Sequence, residues 1–274
     1  MAKTIFITGA SRGFGKLWAE AFLDRGDKVV VTSRNLTSLQ PLKDKYGDSV
    51  LALELDITNR AAAFEALAKA KSTFGTVDIV INNAAMGVSG MVEESDEKSS
   101  REIIEANFFG TLWVTQAAVP IMREQKSGHI LQLSSALGVY SFPSLGLYSA
   151  SKFAVEGLSE ALSQEMKSFG VHVTIIQPNG FATEFGTTIV QNDVNPAYGE
   201  VRAELYTRPA MAESDVWGDP KATVAAILKV TDSTNPPLRL FLGKKAFPLA
   251  KAAYGERLAT WEEWNDVAVA AHGN

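Results

Sequence analysis

The order of apolar runs predicts an α/β fold, one domain spanning residues 1 to 274 built on a doubly wound, seven-stranded parallel sheet with helices on both faces. Three observations carry that expectation. Short β-branched runs alternate with longer segments of helical period over most of the chain. A composition of 46% hydrophobic and 21% charged residues supplies the apolar mass for a large core together with a soluble surface. The rhythm needs no second domain, because α/β folds often run past two hundred residues without splitting.

The first strand is expected from Thr4 to Thr8, where β-branched residues cluster, and a glycine-rich turn hands it to a helix from Gly13 to Arg25. A second strand follows from Lys28 to Ser33 and a helix from Leu36 to Tyr46. The third strand is expected from Val50 to Leu55 with a helix from Arg60 to Phe74, and the fourth from Val77 to Asn82 with a long helix from Asp96 to Gln125. The acidic run Glu93 to Glu97 opens that helix and complements its positive end. Strands from Gly128 to Ser134, His172 to Gln177 and Leu238 to Leu242 complete the seven, with helices from Tyr148 to Phe169 and Pro220 to Val230. The stretch from Thr183 to Asp219 breaks the rhythm and reads as a substrate lid, since so long a connection is uncommon in a compact domain.

Charge and composition exclude several functions. Lys+Arg 26 against Asp+Glu 31 gives a formal net charge of -5, which offers no cationic face for a nucleic acid backbone. The absence of cysteine removes disulfides, thiolate zinc sites, iron-sulfur clusters and cysteine nucleophiles, and fits a reducing compartment. The three histidines, His129, His172 and His272, are scattered without ligand spacing, so no metal site is expected. The first strand begins almost at Met1 and no run approaches a membrane span, so a cytoplasmic protein with no membrane partner is the expectation.

The first turn reads Thr8-Gly9-Ala10-Ser11-Arg12-Gly13-Phe14-Gly15. Three glycines where a strand becomes a helix let a pyrophosphate approach the backbone and sit on the helix N-terminus. A P-loop is excluded, because Leu17 follows Lys16 where that motif requires Ser or Thr. The spacing of Gly9, Gly13 and Gly15 resembles that of the classical short-chain dehydrogenases/reductases. At the end of the second strand, where an acidic residue would accept from a ribose 2′-hydroxyl, the chain reads Thr32-Ser33-Arg34-Asn35. Arg34 and Arg12 can make charge-assisted bonds to a 2′-phosphate, so NADP(H) is expected over NAD(H).

Tyr148 and Lys152 stand four apart, on one face of a helix. A free tyrosine titrates near pH ~10, and a neighbouring ammonium favours the phenolate; Lys152 is thus expected to lower Tyr148 and tune it as a general acid/base. Ser135 lies thirteen residues before Tyr148, with Ser134 as runner-up. The resemblance implies that Ser135, Tyr148 and Lys152 are the catalytic Ser-Tyr-Lys set, and that Asn107 is a fourth member holding a water between Lys152 and solvent. It further implies cofactor contacts from Asp56 and Ile57 after the third strand, Asn83 and Ala84 after the fourth, and Pro178 and Thr183 after the sixth. Ser11, Phe14 and Ser33 join the cofactor set by position. Ala85 and Asn179 depart from the family's usual glycines; Ala85 calls for negative φ, while Asn179 tolerates a left-handed one.

Leu137, Val139, Phe142, Asn179, Phe181 and Phe185, from loops after the fifth and sixth strands, are expected to line an apolar substrate pocket. The resulting expectation is an NADP(H)-dependent reductase of a hydrophobic ketone or aldehyde. Its alternatives are an alcohol or hydroxysteroid dehydrogenase running oxidatively, and a non-catalytic NADP-sensing regulator. A homo-oligomer, dimer or tetramer, is implied through the helices carrying Phe108, Phe109 and Trp113, while Trp261 and Trp264 could dock a terminal helix on the same chain or on a partner.

Overall fold

A computed structural model describes residues 2–207 and 217–273 of the chain. In chain order the strands are β1 Thr4–Ile7, β2 Lys28–Ser33, β3 Val50–Glu54, β4 Ile79–Asn82, β5 Val88–Ser89, β6 Gly128–Leu133, β7 Val171–Pro178, β8 Val190–Gln191 and β9 Arg239–Leu242. Seven form one parallel sheet in the order β3-β2-β1-β4-β6-β7-β9, and β5 pairs with β8 separately. The order reverses direction between β1 and β4, the switch point where ligands of such sheets bind beyond the carboxyl ends of the strands.

The helices are α1 Gly13–Asp24, α2 Gln40–Tyr46, α3 Arg60–Phe74, α4 Glu97–Ile104, α5 Thr111–Gln125, α6 Gly146–Met166, α7 Gly199–Thr207, α8 Thr223–Asp232, α9 Ala246–Glu263 and α10 Asn265–Ala270. Because successive strand residues face opposite ways, each strand feeds two cores. Ile5, Ile7, Val29, Val31, Ile79 and Ile81 pack with Trp18 and Phe22 of α1 and with Ile227 and Val230 of α8. Phe6, Val30 and Val80 face the other way, onto Leu67 of α3, Val114 and Met122 of α5 and Leu162 of α6. Trp18 Nε1 donates to Thr223 Oγ1 at 2.9 Å, tying α1 to α8 where a buried indole N–H needs a partner.

Local chemistry sets the element ends. Asn59 and Asp96 cap α3 and α4 by accepting from Ala62 N–H and Ser99 N–H, and Gly75, at φ 85°, closes α3. Pro41 in the first turn of α2 lacks an N–H, so the helix expected from Leu36 starts only at Gln40, after a 3-10 turn.

Two expectations about organisation need correction. The single helix from Asp96 to Gln125 is interrupted at Glu105–Gly110 by a π-helical turn, which places Asn107 toward the site. The acidic run does more than complement a helix end, since Glu94 accepts from Met91 N–H and Asn195 N–H at 2.7 Å each and pairs with Arg202, while Tyr198 donates to Glu93 at 2.6 Å. These bonds fasten the stretch after β7, which contains β8 and α7; the part of the expected lid at 208–216 lies outside the described residues. A C-terminal pair of helices, α9 and α10, follows β9, and Trp261 and Trp264 are exposed there.

His129 and His172 sit at paired positions of β6 and β7, as strand-start residues. Thr174 Oγ1 gives its proton to Pro237 C=O at 2.8 Å, so His129 Nε2, at 2.9 Å, must be the donor to that hydroxyl. Burial, aided by the neighbouring His172, pushes the His129 imidazole down to about 3. The unfolded chain binds this proton near ~6.5, so the contribution is full above that value and is lost as pH falls toward the folded one. By pH ~5 the loss amounts to about 2 kcal/mol. Urea unfolding of His129→Gln beside the wild type should show a shallower fall in stability between pH ~7 and ~5; parallel curves would contradict the assignment.

Candidate active site

The turn after β1 is closed by its glycines. Gly9 has φ +68° and Gly13 φ +55°, both in the left-handed region. A Cβ on Gly15 would lie 2.4 Å from the Gly9 carbonyl oxygen and 2.6 Å from Asn83 Nδ2, so only glycine fits. The Asn83 amide donates to Thr8 C=O at 2.9 Å and Gly9 C=O at 3.0 Å, and Thr8 Oγ1 accepts from Asn83 N–H and Ala84 N–H. Asn83 and Ala84 thus lock the turn to β4.

The first turn of α1 carries no acidic side chain and opens from this cradle, which fits an anionic phosphate. Thr183 lies across from Gly13, its Cβ 3.6 Å from where a Gly13 Cβ would be. Arg12 and Arg34 are exposed and, among the described residues, neither pairs with a carboxylate. Ser33 Oγ accepts from Asn35 N–H at 3.2 Å, shaping the loop that carries Arg34. Asp56 is exposed with Oδ1 turned onto Thr58, and Ile57 is buried beneath Gly110 of the π turn. The Phe14 side chain is drawn inward, stacked on Trp18 at 5.0 Å, so only its backbone remains at the turn.

Beyond the ends of β6 and β7, the structure brings Ser135, Tyr148 and Lys152 together. Ser135 Oγ accepts from Leu137 N–H at 3.1 Å, lies 3.5 Å from Pro178 C=O and hydrogen-bonds Tyr148. The Ser134 hydroxyl instead faces Gly138, on the side of Glu156. Lys152 is 2% exposed, donates from Nζ to Leu133 C=O at 2.7 Å, and holds Nζ 5.8 Å from the centre of the Tyr148 ring.

The expected lowering of Tyr148 is not met. Burial pushes its phenol up to about 12, with the Ser135 hydrogen bond pulling the other way, and burial pushes Lys152 down to about 8 against the opposing field of Glu156. Desolvation outweighs the Ser135 hydrogen bond at Tyr148 and the Glu156 field at Lys152. The result is a phenol that keeps its proton at neutral pH.

Asn107 is buried in the π turn with its amide fully engaged. Oδ1 accepts from Met86 N–H at 2.8 Å, while Nδ2 donates to Met86 C=O and Ser151 Oγ at 2.9 Å each. Its side chain ties the loop after β4 to α6 beside Lys152, where the resemblance implied a water-holding role.

The pocket residues divide. Phe185 stands 6.0 Å from the Tyr148 ring, and Leu137 and Phe142 are half-buried nearby in sequence on the same loop as Ser135. Val139 is buried, its carbonyl taken by Arg257 Nη1 of α9 at 2.7 Å. Phe181 is not a pocket residue, because its ring sits in the core against Phe14 at 5.2 Å and over Gly218. Asn179 is also displaced from the pocket. Its amide packs against Gly243 at the end of β9 and donates to Gly180 C=O at 2.9 Å, and neither it nor Ala85 has positive φ. Sequence reasoning missed Ser151 and Glu156 as parts of this cluster; Glu156 carried a signal, standing four residues beyond Lys152 on the same helix face.

Known proteins resemble this chain in sequence and fold. Residues 3–194 match the family model described as short chain dehydrogenase. An oxidoreductase of Botryotinia fuckeliana is 36% identical over 274 residues, 99% of this chain and 100% of that protein. A 3-ketodihydrosphingosine reductase of Bacteroides thetaiotaomicron is 36% identical over 242 residues, 87% of each chain. The crystal structure of a short-chain dehydrogenase from Streptomyces avermitilis superposes with a TM-score of 0.89 at 36% identity, covering 98% of both chains. The chain belongs to the short-chain dehydrogenase family and has its Rossmann-type fold. No helix among the described residues is long and apolar enough to cross a membrane.

Proposed function

We propose that this chain is a single-domain, NADP(H)-dependent oxidoreductase that reduces a hydrophobic ketone or aldehyde to an alcohol, with Tyr148 as general acid. The observation that carries the reading is the gathering of Ser135, Tyr148 and Lys152 at the same sheet end as the glycine cradle. NADP(H) would be held by the backbone of Gly9, Ser11, Gly13, Phe14 and Gly15, by Arg12, Ser33 and Arg34 at the 2′-phosphate, by Asp56 and Ile57 at adenine, and by the Asn83-Ala84 segment. Pro178, Thr183, Tyr148 and Lys152 would take its nicotinamide end. When bound, it supplies the hydride.

Tyr148 gives its phenol proton to the carbonyl oxygen, and Ser135 hydrogen-bonds that oxygen as negative charge develops. Lys152 restores the proton side of Tyr148, and Asn107 holds Met86 and Ser151 so that the loop after β4 and the helix face carrying Lys152 keep their spacing. Leu137, Phe142 and Phe185 make the substrate end apolar, in keeping with the relative that reduces 3-ketodihydrosphingosine. The protein acts in the cytoplasm, with no nucleic acid or membrane partner, as a homo-oligomer whose contact includes Phe108, Phe109 and Trp113, all half-buried on one helical stretch.

The test is NADPH oxidation across carbonyl compounds graded from short aldehydes to long-chain, aromatic and steroid ketones. Turnover rising with apolar size is expected. Tight NADPH binding with no compound reduced would overturn the reading in favour of a cofactor-sensing protein.

A further inference from the structure

Outside the residues that touch substrate or cofactor in this reading, one buried carboxylate stands apart. Glu156 is 6% exposed and lies one helical turn beyond Lys152 on α6. Its Oε1 accepts from Gln177 Nε2 of β7 at 2.8 Å, and its Oε2 accepts from Arg239 Nε of β9 at 3.0 Å. Gly138, on the loop that carries Ser135, has no room for a Cβ, which would meet Ser134 Oγ at 2.4 Å and Glu156 Cγ at 3.2 Å. One carboxylate therefore joins α6, β7, β9 and the Ser135 loop at the end of the sheet where the cluster sits.

We propose that Glu156 is a positioning residue for Lys152, a buried anion that holds the Lys152 ammonium charged and fixes its helix face against β7 and β9. The inference rests on the reading of Tyr148 and Lys152 above but concerns a residue that touches neither substrate nor cofactor. Among the described residues, little else that is charged surrounds Lys152. Tyr148 precedes it by a turn and is neutral, the Leu133 carbonyl accepts a hydrogen bond from its Nζ, and the β6 loop, β7 and the π turn bring Ser134, Ser135, Gln177 and Asn107, all uncharged. Burial alone would strip its charge; Glu156 is the Coulombic influence opposing that.

Arg239 sets how strongly Glu156 acts. It is 37% exposed at the side chain and is shared between Glu156 and Glu160, the latter at 2.6 Å. Its positive charge offsets part of the Glu156 field at Lys152. Removing the anion and removing its counter-charge should thus move Lys152 in opposite directions.

The experiment is a titration of Lys152 by NMR in protein carrying 13C at the lysine ε-carbon, with the signal assigned by its loss in Lys152→Met. Glu156→Gln keeps size and removes the charge, its amide oxygen still accepting one of the two hydrogen bonds, and should lower the Lys152 midpoint by on the order of one pH unit. Arg239→Gln, at a half-exposed position, should raise it, and the alkaline limb of kcat/KM should follow in each case. Shifts in the same direction, or unmoved midpoints with a fall in thermal midpoint alone, would overturn the proposal and leave Glu156 a structural brace. The NMR readout does not depend on turnover. If Lys152 moves as expected while the wild type reduces no carbonyl, the reductase reading fails and the positioning role stands.

Discussion

Tyr148→Phe is expected to lose about 10²- to 10⁴-fold in turnover while binding NADPH with a dissociation constant within about twofold of the wild type. The substitution removes one hydroxyl and leaves the ring against Phe185 at 6.0 Å, so the pocket wall is kept. It deletes the only group in the cluster that is both placed beside Ser135 and protonated at neutral pH. Ser135 cannot replace it, since an aliphatic hydroxyl is a far weaker acid than a phenol. Folding should be unharmed, because the lost hydroxyl is exchanged for apolar surface in a buried place. Steady-state kinetics and fluorescence titration with NADPH check both halves. Retained turnover would remove Tyr148 from the proton path.

The second large effect concerns the cofactor. Arg12→Ala with Arg34→Ala should weaken NADPH binding by about 10²-fold or more and leave NADH binding nearly unchanged, since each charge-assisted bond contributes about 1.5–3 kcal/mol. Both guanidinium groups are exposed, and neither pairs with a carboxylate among the described residues, so the double variant should melt as the wild type does. NADPH affinity in the wild type should also fall with added salt more steeply than NADH affinity. Equal losses for the two cofactors would mean that the arginines serve the shared pyrophosphate and not the 2′-phosphate.

The parts of the fold and site legible in sequence were those with a local cause. The strands announce themselves because Ile5-Phe6-Ile7 and Val29-Val30-Val31 must be apolar on both faces, and the glycine turn because Gly9 and Gly15 leave no room for a Cβ. Tyr148 and Lys152 share a helix face by spacing alone.

What escaped depends on distant chain. Phe181 looks like pocket lining beside the Pro178-Asn179 segment, and only the approach of α1 shows that Phe14 and Trp18 claim it for the core. The π turn at Glu105–Gly110 is invisible to helical periodicity, being tied to the Asn107 contacts with Met86 and Ser151. Glu94 looks like helix-end charge until Asn195 and Arg202, about a hundred residues later, close on it. The titration of Tyr148 went the other way from expectation for a related reason: the lysine is written four residues on, but the burial that dominates both groups is written all along the sheet end.

The central claim is that this site passes a hydride to a carbonyl carbon while Tyr148 passes a proton to its oxygen. Its most direct test is reduction of a long-chain ketone with NADPH carrying deuterium at both hydrogens of nicotinamide C4, followed by mass spectrometry of the product. One deuterium retained on the carbinol carbon of the alcohol, absent with Tyr148→Phe, is the predicted result. Alcohol formed without the label, or equally by the Tyr148→Phe variant, would contradict it.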